Sequence, residues 1–202
     1  MATQNAQFHS TVTRITHWVV AASFALLFAT GAAIYDHRPR FRVGLHTLTL
    51  PRVPSWLTMT AEPKLVHYVF AAVFVLCGIA YFTWALRGGH FKALTMNRTD
   101  AAKLLPMQLY YLHLRKDAPD YGLYNPLQKL AYSVVLFAIA PLLVLSGAAL
   151  LEFPIFRPLA AIFVGGVKLW HVLLTASLCL FVIGHVGMVV TTGFVKNMRK
   201  MV

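Results

Sequence analysis

Two of the nine histidines, His171 and His185, lie inside one uncharged stretch, Leu169 to Val195. An imidazole is costly within a membrane-length apolar run, so an embedded histidine points to function by default. At about 100° and 1.5 Å per residue, a helix brings positions fourteen apart to within about 40° of one face, separated by about 21 Å along the axis. The two rings therefore face one way near opposite membrane surfaces. Neutral imidazole is a common axial ligand of haem iron, and the spacing suits one member of each of two stacked haem sites.

The elements that must position these rings are apolar spans. The 202 residues are 58% hydrophobic and only 12% charged, about half the charge of a soluble domain. Mean hydropathy is +0.65. Four uncharged runs, at about 15–35, 65–86, 130–151 and 169–195, are each long enough to cross a bilayer. An open sheet could not satisfy its backbone in lipid, so the expectation is an all-α integral membrane fold, one four-helix bundle domain over 1–202. The first run reads as a retained span rather than a cleaved leader. Its apolar part is longer than a signal core, and only Arg14 precedes it.

Lysine and arginine set the orientation. With the N-terminus inside, the inner segments hold Arg14, Arg87, Lys92, Arg98, Lys103, Arg115, Lys116, Lys129, Lys196, Arg199 and Lys200, against Arg38, Arg40, Arg42, Arg52, Lys64, Arg157 and Lys168 outside. Eleven against seven favours both termini in the cytoplasm. His17, at the start of the first span, then lies at the depth of His185, and His67, at the start of the second, lies at the depth of His171. Four histidines fall into two depth-matched pairs, His17/His185 and His67/His171. Of the other histidines, His9 lies upstream of the first span and is left out, His37 and His46 sit in the exposed outer loop, and His90 and His113 in the inner loop read as solvated or interfacial.

Other chemistries find little support. The charge of +12 sits between the spans, as membrane-surface loops require, with no nucleic-acid motif. Asp36, Glu62, Asp100, Asp117, Asp120 and Glu152 all lie in loops or at span ends, so no embedded carboxylate is available for a proton-coupled carrier. Cys77 and Cys179 lack C-x-x-C spacing and read as inert thiols. Pro141 should kink the third span and leave the Phe137 carbonyl without its usual partner. Among the span glycines, Gly184 and Gly187 beside His185 are the candidates for a porphyrin groove, while helix packing is the ordinary role of Gly31, Gly78 and Gly147. The outer loop reads as irregular, with a short interfacial helix near Trp56. Within the forty-residue inner loop, Asp100 to His113 reads as an amphipathic surface helix.

These residues resemble a known family. Arg14-Ile-Thr-His17-Trp18, His67, the His171/His185 pair and Tyr124-Asn-Pro-Leu-Gln-Lys129 are similar to the four-helix diheme b-type cytochrome subunits of formate dehydrogenase, nickel-iron hydrogenase and thiosulfate reductase. Gly88-Gly-His-Phe-Lys92 and Gly193-Phe-Val-Lys-Asn-Met-Arg199 point to the thiosulfate-reductase-like branch. The resemblance covers nearly the whole chain. It implies two haem b groups, one held by His17 and His185 and one by His67 and His171. It also implies a quinone near Asn125, with Gln128 and Lys129 as weaker candidates, and a periplasmic oxidoreductase partner of molybdoenzyme or hydrogenase type.

The chain is therefore expected to be a multi-pass protein of the bacterial inner membrane, embedded in lipid and compatible with a homodimer. It would pass electrons between quinone and a periplasmic molybdenum oxidoreductase, with Arg14 or Lys168 pairing with haem propionates. A stand-alone quinone-coupled superoxide or ferric reductase, or a haem-free scaffold, are the alternatives.

Overall fold

The computed structural model describes residues 9–35, 40–43, 46–49, 62–122, 124–151 and 153–202, the two shortest stretches by backbone alone. In chain order the elements are α1 (Thr11–Ile34), β1 (Arg40–Val43), β2 (His46–Thr49), α2 (Pro63–Arg87), α3 (Phe91–Leu94), α4 (Arg98–Ala102), α5 (Leu104–Tyr111) and α6 (Pro126–Val134). A π turn (Val135–Ile139), α7 (Ala140–Leu150), a 3₁₀ segment (Pro154–Ile162), α8 (Val167–Thr191) and α9 (Phe194–Met198) complete it. Four helices are of membrane length and apolar: α1, α2, the composite Pro126–Leu150, and α8. Leu76, Ile79, Leu180 and Ile183 are 67%, 58%, 71% and 68% exposed, an apolar exterior that water would penalise and lipid accepts.

Each helix starts two to four residues before its expected boundary. Charge marks the edge of the apolar run, but the helix begins where its first N–H groups find partners. Ser10 caps α1 by accepting the Thr13 N–H at 3.1 Å. Asn125 and Gln128 form a capping box ahead of α6, and Pro63 and Pro126 occupy first-turn positions where no N–H is needed. At the other end α8 stops at Thr191, short of the expected 195, because Gly193 takes φ +112° and turns the chain into α9.

The helices associate as two pairs. The chief partner of α1 is α2 and that of α8 is α7, whereas backbone approaches between the two pairs are few. Fully buried Thr30 on α1 and Ser146 on α7 lie at these seams, where small side chains let helices close up. Pro141 falls in the first turn of α7, directly after the π turn. Widening the ladder so that the Ala140 N–H reaches the Val135 carbonyl re-sites the bonds that the proline would otherwise leave open.

The described loops depart from expectation in two places. Within the outer loop β1 pairs antiparallel with β2, Arg40 opposite Thr49 and Val43 opposite His46, so this part is a hairpin rather than irregular chain. Arg40-Phe41-Arg42-Val43 alternates with a period of two, a strand signal that the proline-rich surroundings obscure. Trp56 and His37 lie outside the described residues. Between α2 and α6, the segment expected to form one amphipathic surface helix divides into α4 and α5, and α5 shows no distinct apolar face. An even number of crossings leaves both ends of the chain on one side, where the His9 N–H donates to the Lys200 carbonyl at 3.4 Å and Trp18 Nε1 to the Met201 carbonyl at 2.9 Å.

An ion pair ties the loop between α2 and α6 to the bundle. Lys129 Nζ of α6 lies 2.9 Å from Asp100 Oδ2, which also accepts the Asn97 N–H at 3.2 Å. Burial pushes the Asp100 carboxyl up, but the Lys129 and Asn97 bonds outweigh it and hold the group below the usual carboxylate value. Its stabilisation is therefore complete above about pH 4 and is lost as pH falls below that. Lys129→Met strands a nearly buried carboxylate and is expected to cost about 3 kcal/mol. In thermal melts of the detergent-solubilised protein, Asp100→Asn should flatten the acid limb of the pH–stability curve.

Candidate cofactor site

Four imidazoles face one another across the gap between the helix pairs. His17 of α1 and His185 of α8 have ring centres 6.1 Å apart with planes at 62°. His67 of α2 and His171 of α8 have ring centres 6.5 Å apart with planes at 65°. The fourteen-residue spacing on α8 puts the two couples at different depths, one near the terminal side and one near the opposite side. These are the pairs the topology required.

The His67/His171 couple is held from behind. Thr30 Oγ1 is 2.7 Å from the Leu26 carbonyl and 3.0 Å from His67 Nδ1. A hydroxyl has one hydrogen and a carbonyl only accepts, so the hydroxyl donates to Leu26 and His67 Nδ1–H donates to the hydroxyl. Ser146 repeats the device on the other pair, with its Oγ 2.9 Å from both the Leu143 carbonyl and His171 Nδ1. In both rings the network assigns the proton to Nδ1 and leaves a lone pair on Nε2, the tautomer a metal ligand needs. The residue after each hydroxyl is a glycine against the same ring. A Cβ on Gly31 would meet His67 Cε1 at 3.4 Å, and one on Gly147 would meet His171 Cε1 at 3.4 Å.

Around the other couple the environment is aromatic. Phe181 stacks on His185 with centres 5.8 Å apart, and Trp18 meets His17 edge-on at 5.3 Å. No side-chain hydroxyl bonds either imidazole among the described residues. One turn before His17, Arg14 Nη1 donates to the Val202 carbonyl while its buried Nε has no partner. Lys168 Nζ lies 5.8 Å from the centre of the Tyr35 ring. Open space borders Gly78, Gly184 and Gly187.

The donor set can be tested against a cofactor. With a metal–nitrogen bond of about 2 Å and a nitrogen about 1.1 Å from its ring centre, two imidazoles in line across one ion have centres about 6.2 Å apart. The observed 6.1 and 6.5 Å bracket that value. Two nitrogens alone do not complete a metal's coordination, and no group of three or more His, Cys, Asp or Glu side chains gathers among the described residues. The arrangement suits a metal whose remaining positions are already filled in a plane, as in an iron porphyrin.

Asn125 has another duty. Its Oδ1 accepts the Gln128 N–H at 2.8 Å, Gln128 Oε1 accepts the Asn125 N–H at 3.0 Å, and Asn125 Nδ2 donates to the Tyr111 hydroxyl at 3.1 Å. Helix capping accounts for Asn125 and Gln128, and Lys129 is paired with Asp100. Sequence reasoning missed the hydroxyls of Thr30 and Ser146. Their signal was a hydroxyl-glycine dipeptide in two different spans, Thr30-Gly31 and Ser146-Gly147. It also set His9 and His90 aside, although both meet Tyr124.

The sequence pattern of one family spans residues 9–202, and its description is prokaryotic cytochrome b561. No curated protein matches the chain. That match takes in all four paired histidines, all four spans and the C-terminal segment. With four apolar crossings and a family whose cofactor is haem b, the chain belongs to the prokaryotic cytochromes b561, multi-pass electron-transfer proteins of the bacterial inner membrane.

Proposed function

We propose that this cytochrome holds two haem b groups and carries electrons across the membrane between quinone and a periplasmic redox partner, with both termini in the cytoplasm. The observation that carries the reading is the pair of imidazole couples, each spaced for one intervening metal and separated by about 21 Å along α8. When bound, haem b with histidine on both faces supplies a one-electron carrier with no open position for oxygen or substrate. His17 and His185 hold one group, and His67 and His171 hold the other. Thr30 and Ser146 keep the Nδ1 protons of the second couple in place, fixing each ring and raising the basicity of its Nε2. Arg14, whose buried Nε has no partner among the described residues, and Lys168 are the proposed contacts for propionates.

The partner and quinone assignments rest on the resemblance described above. The Gly88-Gly-His-Phe-Lys92 and C-terminal motifs favour a periplasmic molybdenum oxidoreductase, and Arg40 and Arg42 of the hairpin add positive charge to the loop such a partner would meet. Quinone is assigned to the cytoplasmic side, beside the Tyr124–Asn125 segment.

Replacing a ligand separates the couples. His171→Ala and His185→Ala should each lower the pyridine haemochrome content from two haems per chain to one, whereas two intact haems in either variant would refute the assignment. A second outcome concerns the hydroxyls. Thr30→Val and Ser146→Ala should retain both haems and raise one of the two midpoint potentials in a spectroelectrochemical titration, because an imidazole that loses its acceptor donates less charge to iron. Thr30→Ser, which keeps the hydroxyl, should restore the native potential.

A further inference from the structure

At the terminal end of the bundle, outside the four paired histidines, three titratable side chains from three separate segments converge. His9 precedes α1, His90 follows α2, and Tyr124 precedes α6. The Tyr124 hydroxyl lies 3.5 Å from His9 Nδ1 and 3.5 Å from His90 Nε2. The His9 ring stacks on Tyr124 with centres 6.0 Å apart, His90 meets Tyr124 edge-on at 6.1 Å, and Trp84 covers His90 at 5.2 Å. Tyr124 is only 6% exposed, while both imidazoles are intermediate in exposure and so reach water on their outer sides. One hydroxyl between two imidazoles can donate to one while accepting from the other, the arrangement a proton relay needs. Contacts of 3.5 Å are long, as hydrogen bonds between catalytic groups often are before substrate draws them together.

We propose that His9, Tyr124 and His90 form the proton-exchange site of the quinone reaction. This rests on the quinone-linked reading above and deepens it. Oxidation of a quinol to a quinone breaks two O–H bonds and releases two electrons and two protons. A bound haem would take the electrons one at a time, and each proton needs a base. Two neutral imidazoles joined by a hydroxyl accept them and pass them to water. The same groups deliver two protons when quinone is reduced.

The surroundings favour neutral bases. Burial first, then the charge of Lys200 and the neighbouring His90, hold the His9 imidazole below its ordinary value, and burial does the same for His90. Both are therefore uncharged near pH 7 and free to take up a proton. Burial, with Tyr132 and Tyr81 nearby, pushes the Tyr124 phenol up, so it stays protonated and relays rather than ionises. His17 of α1 is a further titratable group close enough to His9 to feel its charge.

The test uses the purified haem-loaded protein mixed rapidly with a short-chain benzoquinol. A parallel arm uses hexaammineruthenium(II), a one-electron donor that releases no proton. Tyr124→Phe and the double variant His9→Gln/His90→Gln should keep native haem content and the native dithionite-reduced spectrum. Haem reduction by quinol should slow by about a hundredfold, and reduction by the ruthenium complex should stay at the native rate. Quinol reduction at the native rate in both variants would overturn the proposal. Failure of the unmodified protein to react with quinol, while it reacts with ruthenium, would overturn the quinone reading itself. If the double variant loses haem, Tyr124→Phe decides alone, since it removes one oxygen and leaves the ring packed.

Discussion

The arrangement depends on a hydrogen bond inside each helix pair, from an imidazole Nδ1–H to a buried hydroxyl one helix away. Thr30 of α1 receives that bond from His67 of α2, and Ser146 of α7 receives it from His171 of α8. Each pair thus orients its own ring, with the proton on Nδ1 and the lone pair left on Nε2. In an apolar interior an unpaired imidazole N–H would be costly, so this bond fixes the ring as well as satisfying it. Glycine after each hydroxyl keeps the approach close enough for the bond to form.

The membrane supplies the second constraint. With no water to satisfy backbone groups in the hydrocarbon, the chain crosses only as helix, and irregularity is confined to forms that keep the ladder closed. The π turn ahead of Pro141 is one such form. It sits within the third span, the helix that brings Ser146 to His171, so the proline is accommodated without breaking the element that aligns the site. Outside the hydrocarbon the rules relax. There the chain uses a hairpin, short helices and a nearly buried ion pair between Asp100 and Lys129.

Much of this was legible from residue types and spacing. Uncharged length marks a span, and fourteen residues between His171 and His185 already imply two depths on one face. Helix starts were misplaced because Arg14, Lys64, Lys129 and Lys168 mark where the apolar run begins, while Ser10, Asn125 and the prolines mark where hydrogen bonds begin. Thr30 and Ser146 could not be singled out, since a back-bonded hydroxyl in a membrane helix looks like any small packing residue until the neighbouring helix is placed beside it. Gly184 and Gly187 border open space, while the glycines that touch the rings are Gly31 and Gly147, positions whose composition reads as ordinary helix packing. His9 and His90 looked like loop residues because their meeting with Tyr124 is set by how three segments fold over the bundle end.

The central claim is that each of two irons is gripped by a crossed pair of imidazoles. Electron paramagnetic resonance of the oxidised protein, quantified against chain concentration, reads this directly. Planes at 62° and 65° should give two strongly anisotropic low-spin ferric signals per chain. A high-spin signal, or one low-spin species at one iron per chain, would contradict the account.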